Sequence, residues 1–254
     1  MAVVLKSDRE IELIRQGGRI LAEVLQKLVE RIRPGLSTAE IDRFVREEFD
    51  HRGVRPSFLG YRGFPAAVCV SVNEEIVHGI PGRRVLEEGD IVSIDLGLIY
   101  KGYQADAAVT VGVGRVSPEA ERLIRTTEEA LMAGIRAARA GARLGDVSWA
   151  IQSYAENRGY SVVREYVGHG IGREMHEEPP VPNYGRPGTG IVLRKGMVLA
   201  IEPMLVIGDW RTRVLDDGWT VVTADGTLAA HAEHTVAITN GEAEILTALD
   251  GARI

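Results

Sequence analysis

The sequence contains an internal repeat, and this repeat limits the possible folds more than any other feature. The stretch 35–53 is echoed by 141–159, an offset of 141 − 35 = 106 positions, and both contain a helix–glycine–helix pattern. A second echo joins 86–95 to 193–202 at an offset of 202 − 95 = 107, and each copy is a turn followed by an apolar strand that ends in a carboxylate. Helix–glycine–helix stretches also resemble one another by chance, but two echoes at nearly one offset favour a true repeat. We predict an α+β fold in one domain of two similar halves, about 1–115 and 116–254, facing each other around one site.

Helix starts are marked by capping residues. Ser7 with Glu10 and Ser37 with Glu40 form two capping-box patterns, and Ser117 precedes a proline in the third start. The apolar spacing that follows predicts four helices, which extend over about 8–33, 38–52, 118–139 and 146–157.

Composition excludes several classes of protein. The chain has 254 residues, of which 45% are hydrophobic, and a net charge of -6, so no general basic surface for direct nucleic-acid recognition is expected. Cys69 is the only cysteine, which rules out an intrachain disulfide and a cysteine-only zinc site. Because the sequence shows neither a signal-peptide pattern nor an apolar run long enough to span a bilayer, we predict a cytoplasmic protein with no membrane contact.

Four carboxylates lie at or near the ends of predicted apolar strands. A hairpin after residue 99 would place Asp95 opposite or diagonal to Asp106 on one face of a ladder, where like charges repel unless they share a proton or a cation. Glu202 ends the matching strand of the second half. Glu233 lies on an alternating strand, and a solvent-facing carboxylate is an equally valid interpretation of its pattern alone.

Histidine completes a candidate metal-binding set. His169 lies in the glycine-rich stretch 168–172, where the backbone can approach a ligand closely, and neutral imidazole is a common metal ligand. We interpret His51, His231 and His234 as structural. The resulting set is Asp95, Asp106, His169, Glu202 and Glu233. Its four carboxylates suit two divalent ions, and oxygen-rich ligation favours Mn, Fe(II) or Co over structural zinc, although zinc can occupy such a site. The chemistry that this set indicates is metal-assisted hydrolysis.

The motifs around these residues resemble type I methionine aminopeptidases of the bacterial kind, which lack an N-terminal extension. The resemblance covers nearly the whole chain, and the matching stretches are 71–81 (SVNEEIVHGIP), 90–95 (DIVSID), 102–106 (GYQAD), 168–179 (GHGIGREMHEEP), 200–204 (AIEPM) and 233–235 (EHT). It implies a single catalytic peptidase domain over 1–254 with the pseudo-twofold pita-bread fold, a central antiparallel sheet with two helix pairs outside. It also implies removal of an N-terminal methionine when the second residue is small, by attack of a hydroxide that bridges two metal ions.

The resemblance also assigns roles to individual residues. Asp95 would chelate one metal, Asp106 and Glu233 would bridge both, and His169 with Glu202 would complete the other. Glu202 would shuttle a proton, while His78 and His176 would contact the peptide at the scissile bond. The methionine side chain would occupy a pocket of Tyr61, Phe64, Cys69, Met175 and Trp219, in which Met175 stands where an aromatic residue is common in the family and Phe58 stands nearby in place of a frequent cysteine. A monovalent cation would bind backbone carbonyls of Asn73, Glu75 and Ala229.

Partners and rival functions follow from the same resemblance. The substrates would be N-terminal methionine peptides and nascent chains, ribosome association is expected for processing during translation, and we expect a monomer. The rival enzyme is an Xaa-Pro aminopeptidase or prolidase of the same fold, which usually carries a substantial N-terminal domain for which this chain has no room before Ser7. The rival from another class is a non-catalytic pita-bread binding module, which would have lost metal ligands.

Overall fold

The computed structural model of the chain describes residues 2–249. Its four α-helices are α1 (Asp8–Val29), α2 (Thr38–His51), α3 (Pro118–Ala137) and α4 (Leu144–Glu156). Its strands, in chain order, are β1 (Arg55–Pro56), β2 (Val68–Val72), β3 (Glu75–Val77), β4 (Ile91–Tyr100), β5 (Tyr103–Gly112), β6 (Ser161–Val162), β7 (Gly168–Gly170), β8 (Glu177–Val181), β9 (Val198–Ile201), β10 (Met204–Val206), β11 (Thr212–Val214), β12 (Val221–Thr223), β13 (Ala229–His231), β14 (Glu233–Ala237) and β15 (Glu244–Ile245).

The predicted caps begin three of the helices. Ser7 and Ser37 each accept a hydrogen bond from the backbone N–H three residues later, and the returning glutamate completes both capping boxes. Ser117 caps α3, whose first residue is a proline that needs no hydrogen-bond acceptor. Helix α1 ends at Val29, four residues before the predicted end, because Pro34 disfavours helical backbone in the residue before it and the chain tightens into turns first.

A nine-stranded antiparallel sheet forms the centre of the molecule. Its main order is β1-β4-β5-β14-β9-β7-β8, while β2 pairs with β4 and β15 pairs with β14. Two three-stranded sheets, β13-β10-β6 and β11-β12-β3, lie beside it. Strand β14 therefore joins β5, from the first part of the chain, to β9, from the second.

Helices cover the sheet as two pairs. Helices α1 and α2 pack on β2, β4 and β5, and their apolar side chains form one buried cluster with those strands. Helices α3 and α4 pack on one another and on β9, β10, β13 and β14 around a second cluster. A third, smaller cluster includes Phe58, Phe64, Cys69 and Met175 and leads towards the candidate site. Within 2–249, no helix has the length and apolar character needed to cross a membrane.

Candidate metal centre and substrate cavity

Two of the predicted ligands lie on the longest hairpin of the protein. Strands β4 and β5 are joined by Lys101 and Gly102, which both have positive φ, as a tight two-residue hairpin turn requires. The register places Asp95 opposite Ala108 and Asp106 opposite Gly97, so the two aspartates are diagonal neighbours on one face.

The other three predicted ligands come from β14 and from the strands beyond it. Glu233 begins β14 and lies opposite Ala108 of β5, which brings it next to the two aspartates. Glu202 directly follows β9, the other neighbour of β14. His169 lies in β7, opposite Ala200 of β9. The antiparallel sheet thus gathers five residues that are widely separated in the sequence.

These groups lie close enough together for several of them to bind the same ion. His169 Nε2 lies 3.5 Å from Glu202 Oε1 and 3.9 Å from Asp106 Oδ2. One potential ligand atom from each of Asp106, His169 and Glu233 lies within 4.8 Å of the others. The same limit holds for Glu202, His231 and Glu233, so His231, which the sequence pattern placed among structural histidines, belongs to the same cluster of side chains.

The buried polar atoms of this cluster lack partners within the protein. Asp95 Oδ1, Asp106 Oδ1, Glu233 Oε1 and His231 Nε2 are buried without a hydrogen bond. Buried polar groups without partners are rare because each costs roughly 1–3 kcal/mol or more. Divalent cations satisfy carboxylate and imidazole lone pairs together, so the donor set fits such ions. A divalent metal bound at this cluster would satisfy these atoms.

The pKa values show that ionised carboxylates are unfavourable here unless protons or cations compensate them. Burial raises the pKa values of Asp95, Asp106, Glu202 and Glu233, and nearby carboxylates raise those of Asp106 and Glu233 further. Burial also lowers the pKa of His169 to about 3, so its imidazole is neutral and keeps a lone pair available for a metal.

Two further histidines lie at the entrance to the cluster. His78 has a φ of 61°, an uncommon conformation for a residue with a side chain, and burial lowers its pKa to about 4. His176 is more exposed, and its Nδ1 lies 2.9 Å from the Tyr61 hydroxyl. The ring centroids of His176 and His169 are 4.2 Å apart, so the predicted carbonyl-binding histidine lies directly beside a predicted ligand.

A single cavity joins the metal-binding cluster to apolar side chains. Its volume is about 150 Å³. The lining residues are Phe58, Tyr61, Arg62, Phe64, Cys69, His78, Asp95, Asp106, His169, Met175, His176, Glu202 and Trp219. All five residues of the predicted methionine pocket are among them. Glu233 is not on the wall but is buried beneath it, and Arg62 is a lining residue that sequence reasoning missed.

Several polar residues that sequence reasoning also missed hold the ligands in place. Thr235 Oγ1 accepts from the backbone N–H of Asp106 and donates to its carbonyl, at 3.0 and 2.8 Å. Asn183 is fully buried and donates through Nδ2 to the Glu202 carbonyl at 3.0 Å. Thr235 lies two residues after Glu233 and therefore on the same face of the strand, which could have indicated its role. No sequence pattern around Asn183 indicates the role of that residue.

Asn73 and Ala229, two of the three residues predicted to bind a monovalent cation, are neighbours in the structure. Asn73, with a φ of 58°, offers its carbonyl to the backbone N–H of Ala229 at 2.9 Å. Glu75 lies two residues further on, and its Oε2 accepts from the backbone N–H of Val72.

The chain is similar to known metallopeptidases in sequence and in fold. Residues 12–240 match the model of metallopeptidase family M24. A methionine aminopeptidase from Clostridium perfringens is 55% identical over 245 residues, which cover 96% of this chain and 98% of that protein. The crystal structure of methionine aminopeptidase from Thermotoga maritima superposes with a TM-score of 0.96 at 50% identity, covering 98% of this chain and 100% of that one.

A prolidase from Pyrococcus furiosus shares the fold more distantly. Its TM-score is 0.79 at 25% identity, and the match covers 97% of this chain but 66% of that one. The predicted fold class is confirmed: an α+β pita-bread fold with a central antiparallel sheet and two helix pairs outside. The relatives that match over their full length are the aminopeptidases rather than the prolidase, and the chain belongs to metallopeptidase family M24, among its methionine aminopeptidases.

Proposed function

We propose that this chain removes methionine from the free N-terminus of peptides whose second residue is small. The observation that carries the proposal is the cavity of about 150 Å³, in which a cluster of carboxylate and imidazole groups shares one space with an apolar pocket. Hydrolysis and recognition of an apolar side chain would thus take place at adjoining parts of one site.

Two divalent ions are the proposed cofactors, with Co, Mn, Fe(II) and Zn as candidates. Asp95 would hold one, Asp106 and Glu233 would be shared, and His169 with Glu202 would hold the other. When bound, such ions polarise a carbonyl and make a water molecule a better nucleophile at neutral pH.

The side chains of the chain itself would orient the peptide and move its protons. Glu202 lines the cavity and can take a proton from water and pass it to the leaving amine. In the tautomer proposed here, the Tyr61 hydroxyl donates to His176 Nδ1, so Nε2 carries the proton and can donate to the scissile carbonyl as charge develops there. His78 would contact the peptide nitrogen from the opposite wall.

The methionine side chain would lie among Tyr61, Phe64, Cys69, Met175 and Trp219. Phe64 and Trp219 pack edge to face with ring centroids 5.1 Å apart, and sulfur packs favourably at such ring edges. Phe58, against which a Cβ at Gly97 would clash at 2.8 Å, completes the wall next to β4. An apolar wall whose ring edges pack well against sulfur favours methionine over polar side chains.

The requirement for a free amine and a small second residue follows from the same geometry. A free, neutral α-amine would offer a nitrogen lone pair to an ion held by the carboxylates, whereas a formyl group would turn that nitrogen into an amide with no basic lone pair. A bulky second side chain would meet the rim at His78 and displace the scissile bond, and a displacement of about 1 Å can cost about 10² in rate.

The remaining predictions about the chain stand beside this proposal. We propose a single catalytic domain of two similar halves, about 1–115 and 116–254, acting as a monomer on nascent chains in the cytoplasm in association with the ribosome. A monovalent cation at the backbone carbonyls of Asn73, Glu75 and Ala229 is also proposed.

Steady-state kinetics on short peptides test the proposed function. The metal-loaded protein should cleave Met-Ala-Ser with a kcat/KM at least about tenfold above that for Met-Lys-Ser, and should release no methionine from formyl-Met-Ala-Ser. An Ala-Pro peptide distinguishes a prolidase. Equal kcat/KM for the two methionine peptides, or preferred cleavage of the Ala-Pro peptide, would contradict the proposal.

A further inference from the structure

His231 lies at the end of β13, two residues before Glu233, and its imidazole faces the metal-binding cluster. We propose that His231 Nε2 is a metal ligand, a second imidazole that binds the divalent metal centre together with Glu202 and Glu233. This inference rests on the metal centre of the proposed function and extends its ligand set beyond the five residues that the sequence motifs indicate.

The distances at His231 suit a shared ion better than a hydrogen bond. Its Nε2 lies 3.6 Å from Glu202 Oε2 and 3.9 Å from Glu233 Oε2. Both separations exceed the usual range of about 2.7–3.2 Å for a hydrogen bond. Ligand atoms that share one ion, each at about 2.0–2.2 Å from it, lie about 3–4 Å apart.

Glu202 is consequently bracketed by two imidazoles. Its Oε1 lies 3.5 Å from His169 Nε2, and its Oε2 lies 3.6 Å from His231 Nε2. The two histidines thus approach different oxygens of the same carboxylate. A carboxylate placed between two nitrogen donors can share an ion with each of them, so the assignment of His231 leaves the proposed role of His169 unchanged.

Burial distinguishes His231 from an ordinary core histidine. The residue is 1% exposed, and its Nε2 has no hydrogen-bond partner within 2–249. His234, three residues later and 8% exposed, is satisfied, since its Nδ1 lies 2.9 Å from Thr247 Oγ1. A buried imidazole nitrogen left without a partner is costly, and a metal ion would remove that cost.

The backbone around His231 is fixed from both sides. Thr110 Oγ1 accepts from the His231 N–H at 2.8 Å and donates to the His231 carbonyl at 2.8 Å, while Ser93 Oγ contacts the same Thr110 oxygen at 2.7 Å. The strand that carries Asp95 therefore helps to position His231 through Thr110. A ligand held in this way is arranged before the ion arrives.

An additional nitrogen ligand would change the metal preference of the site. Imidazole favours Co, Zn and Fe over Mn, for which oxygen ligands are better suited. Replacing His231 with glutamine substitutes an amide of similar size, which can ligate only through oxygen. The variant should therefore lose affinity for Co(II) by about 10–100-fold and lose less affinity for Mn(II).

X-ray absorption of the Co(II)-loaded protein counts imidazole ligands directly, without any measurement of activity. The number of rings per ion, multiplied by the measured Co(II) content, gives the number of rings per chain. The wild type should show two imidazole rings per chain, His231→Gln one, and His169→Gln one. His234→Gln is the matched control, because it removes a neighbouring buried imidazole and should leave the count at two. Calorimetric titration of each protein with Co(II) and Mn(II) gives the two affinities.

The wild-type count can overturn the inference even if a variant fails to fold. A wild type that binds Co(II) through one imidazole would overturn the role of His231 and leave the proposed function intact. A wild type that binds no divalent ion would overturn both. A count of two that His231→Gln does not change would also contradict the inference, since the second imidazole would then belong to another histidine.

Discussion

At the scale of single residues, the metal centre depends most on Asp106 and Glu233, the two predicted shared ligands. They are 3% and 1% exposed, and each leaves a buried oxygen without a partner in the protein. Within 2–249, the ion pairs at the four carboxylates involve histidines and no lysine or arginine. Their negative charge is thus left for a bound cation to neutralise.

We expect Asp106→Ala and Glu233→Ala each to abolish turnover, because each substitution removes a ligand shared by two cations. The measurement is kcat together with metal content per chain. Glu242→Ala, at an exposed carboxylate that pairs with Arg139, is the control and should leave both values unchanged. Full activity in either site variant would exclude a centre with two shared ligands.

His176→Ala should lower kcat by about 10²–10³ while metal content stays the same, as expected for the loss of a donor to a developing oxyanion. Tyr61→Phe keeps the aromatic ring but removes the hydroxyl that contacts His176 Nδ1, so kcat should fall by a smaller factor with little change in KM. If His176→Ala instead loses metal, and the fraction that still holds metal is fully active, His176 is a metal ligand.

The sequence predicted the five candidate ligands from strand ends, a glycine-rich stretch and the family motifs, and the structure brings these residues together. The position of His231 beside them was not predicted, since a single histidine is more often structural and the motif at 233–235 drew attention to Glu233 alone. The contact of His231 with Glu202 depends on the meeting of β13 and the end of β9, which no local spacing encodes. Asn183 was missed for the same reason.

At the scale of secondary-structure elements, the start of α1 is linked to the start of β5. Glu10 Oε2 accepts from the backbone N–H and the hydroxyl of Ser7, both at 2.8 Å, and Oε1 accepts from the Tyr103 hydroxyl at 2.7 Å. Hydrogen bonds from Ser7 and Tyr103 lower the pKa of Glu10 to about 2. One carboxylate therefore caps the helix and attaches it to the first residue of β5.

The lowered pKa of Glu10 makes a prediction about acid stability. A carboxyl with a lower pKa in the folded state stabilises the fold above its unfolded value, here 4.5, and this contribution is lost as pH falls towards 2. Glu10→Gln keeps an oxygen that can accept from Ser7 but loses the negative charge near the helix N-terminus. The variant should therefore unfold more easily near pH 7, by about 0.3–1 kcal/mol, and should show a shallower loss of stability between pH 4.5 and 2.

Urea denaturation at several pH values measures both effects. Tyr103→Phe removes one of the hydrogen bonds and should give an intermediate slope. If the wild type and Glu10→Gln lose stability in parallel over that pH range, the carboxylate has no such role.

Elements were predicted well where a side chain marks the boundary. Serine caps gave the starts of three helices correctly, whereas the end of α1 was placed four residues too late because apolar spacing continues beyond the last helical turn. The hairpin of β4 and β5 was predicted from its turn, but the pairing of β14 with both β5 and β9 was not. That pairing is set by contacts between residues that are distant in the sequence, and hydrophobic periodicity does not predict such contacts.

At the scale of the whole molecule, the metal centre connects strands from both parts of the chain. A ligand bound only by the folded state stabilises that state, by about 2.7 kcal/mol at a concentration 100 times its Kd. For a protein of this length, removal of divalent metal by a chelator should lower Tm by about 5–10 °C.

Differential scanning calorimetry with and without chelator tests this expectation, followed by addition of Co(II) or Mn(II) to restore Tm. The Asp106→Asn, Glu233→Gln double variant is the control, because it lacks the two shared ligands and should show no shift with chelator. An unchanged wild-type Tm would mean that metal binding does not contribute to stability.

Strand β14 comes after β5 and β9 in the sequence, yet it lies between them in the large sheet. Until residue 237 has been synthesised, both neighbours present open strand edges, whose unpaired backbone groups can associate with other chains. Contacts between such distant segments also require closure of a long loop before they form, and this slows folding. The growing polypeptide is thus expected to depend on chaperones more than a helical protein of equal length, and to complete its folding only after nearly all of it has been translated.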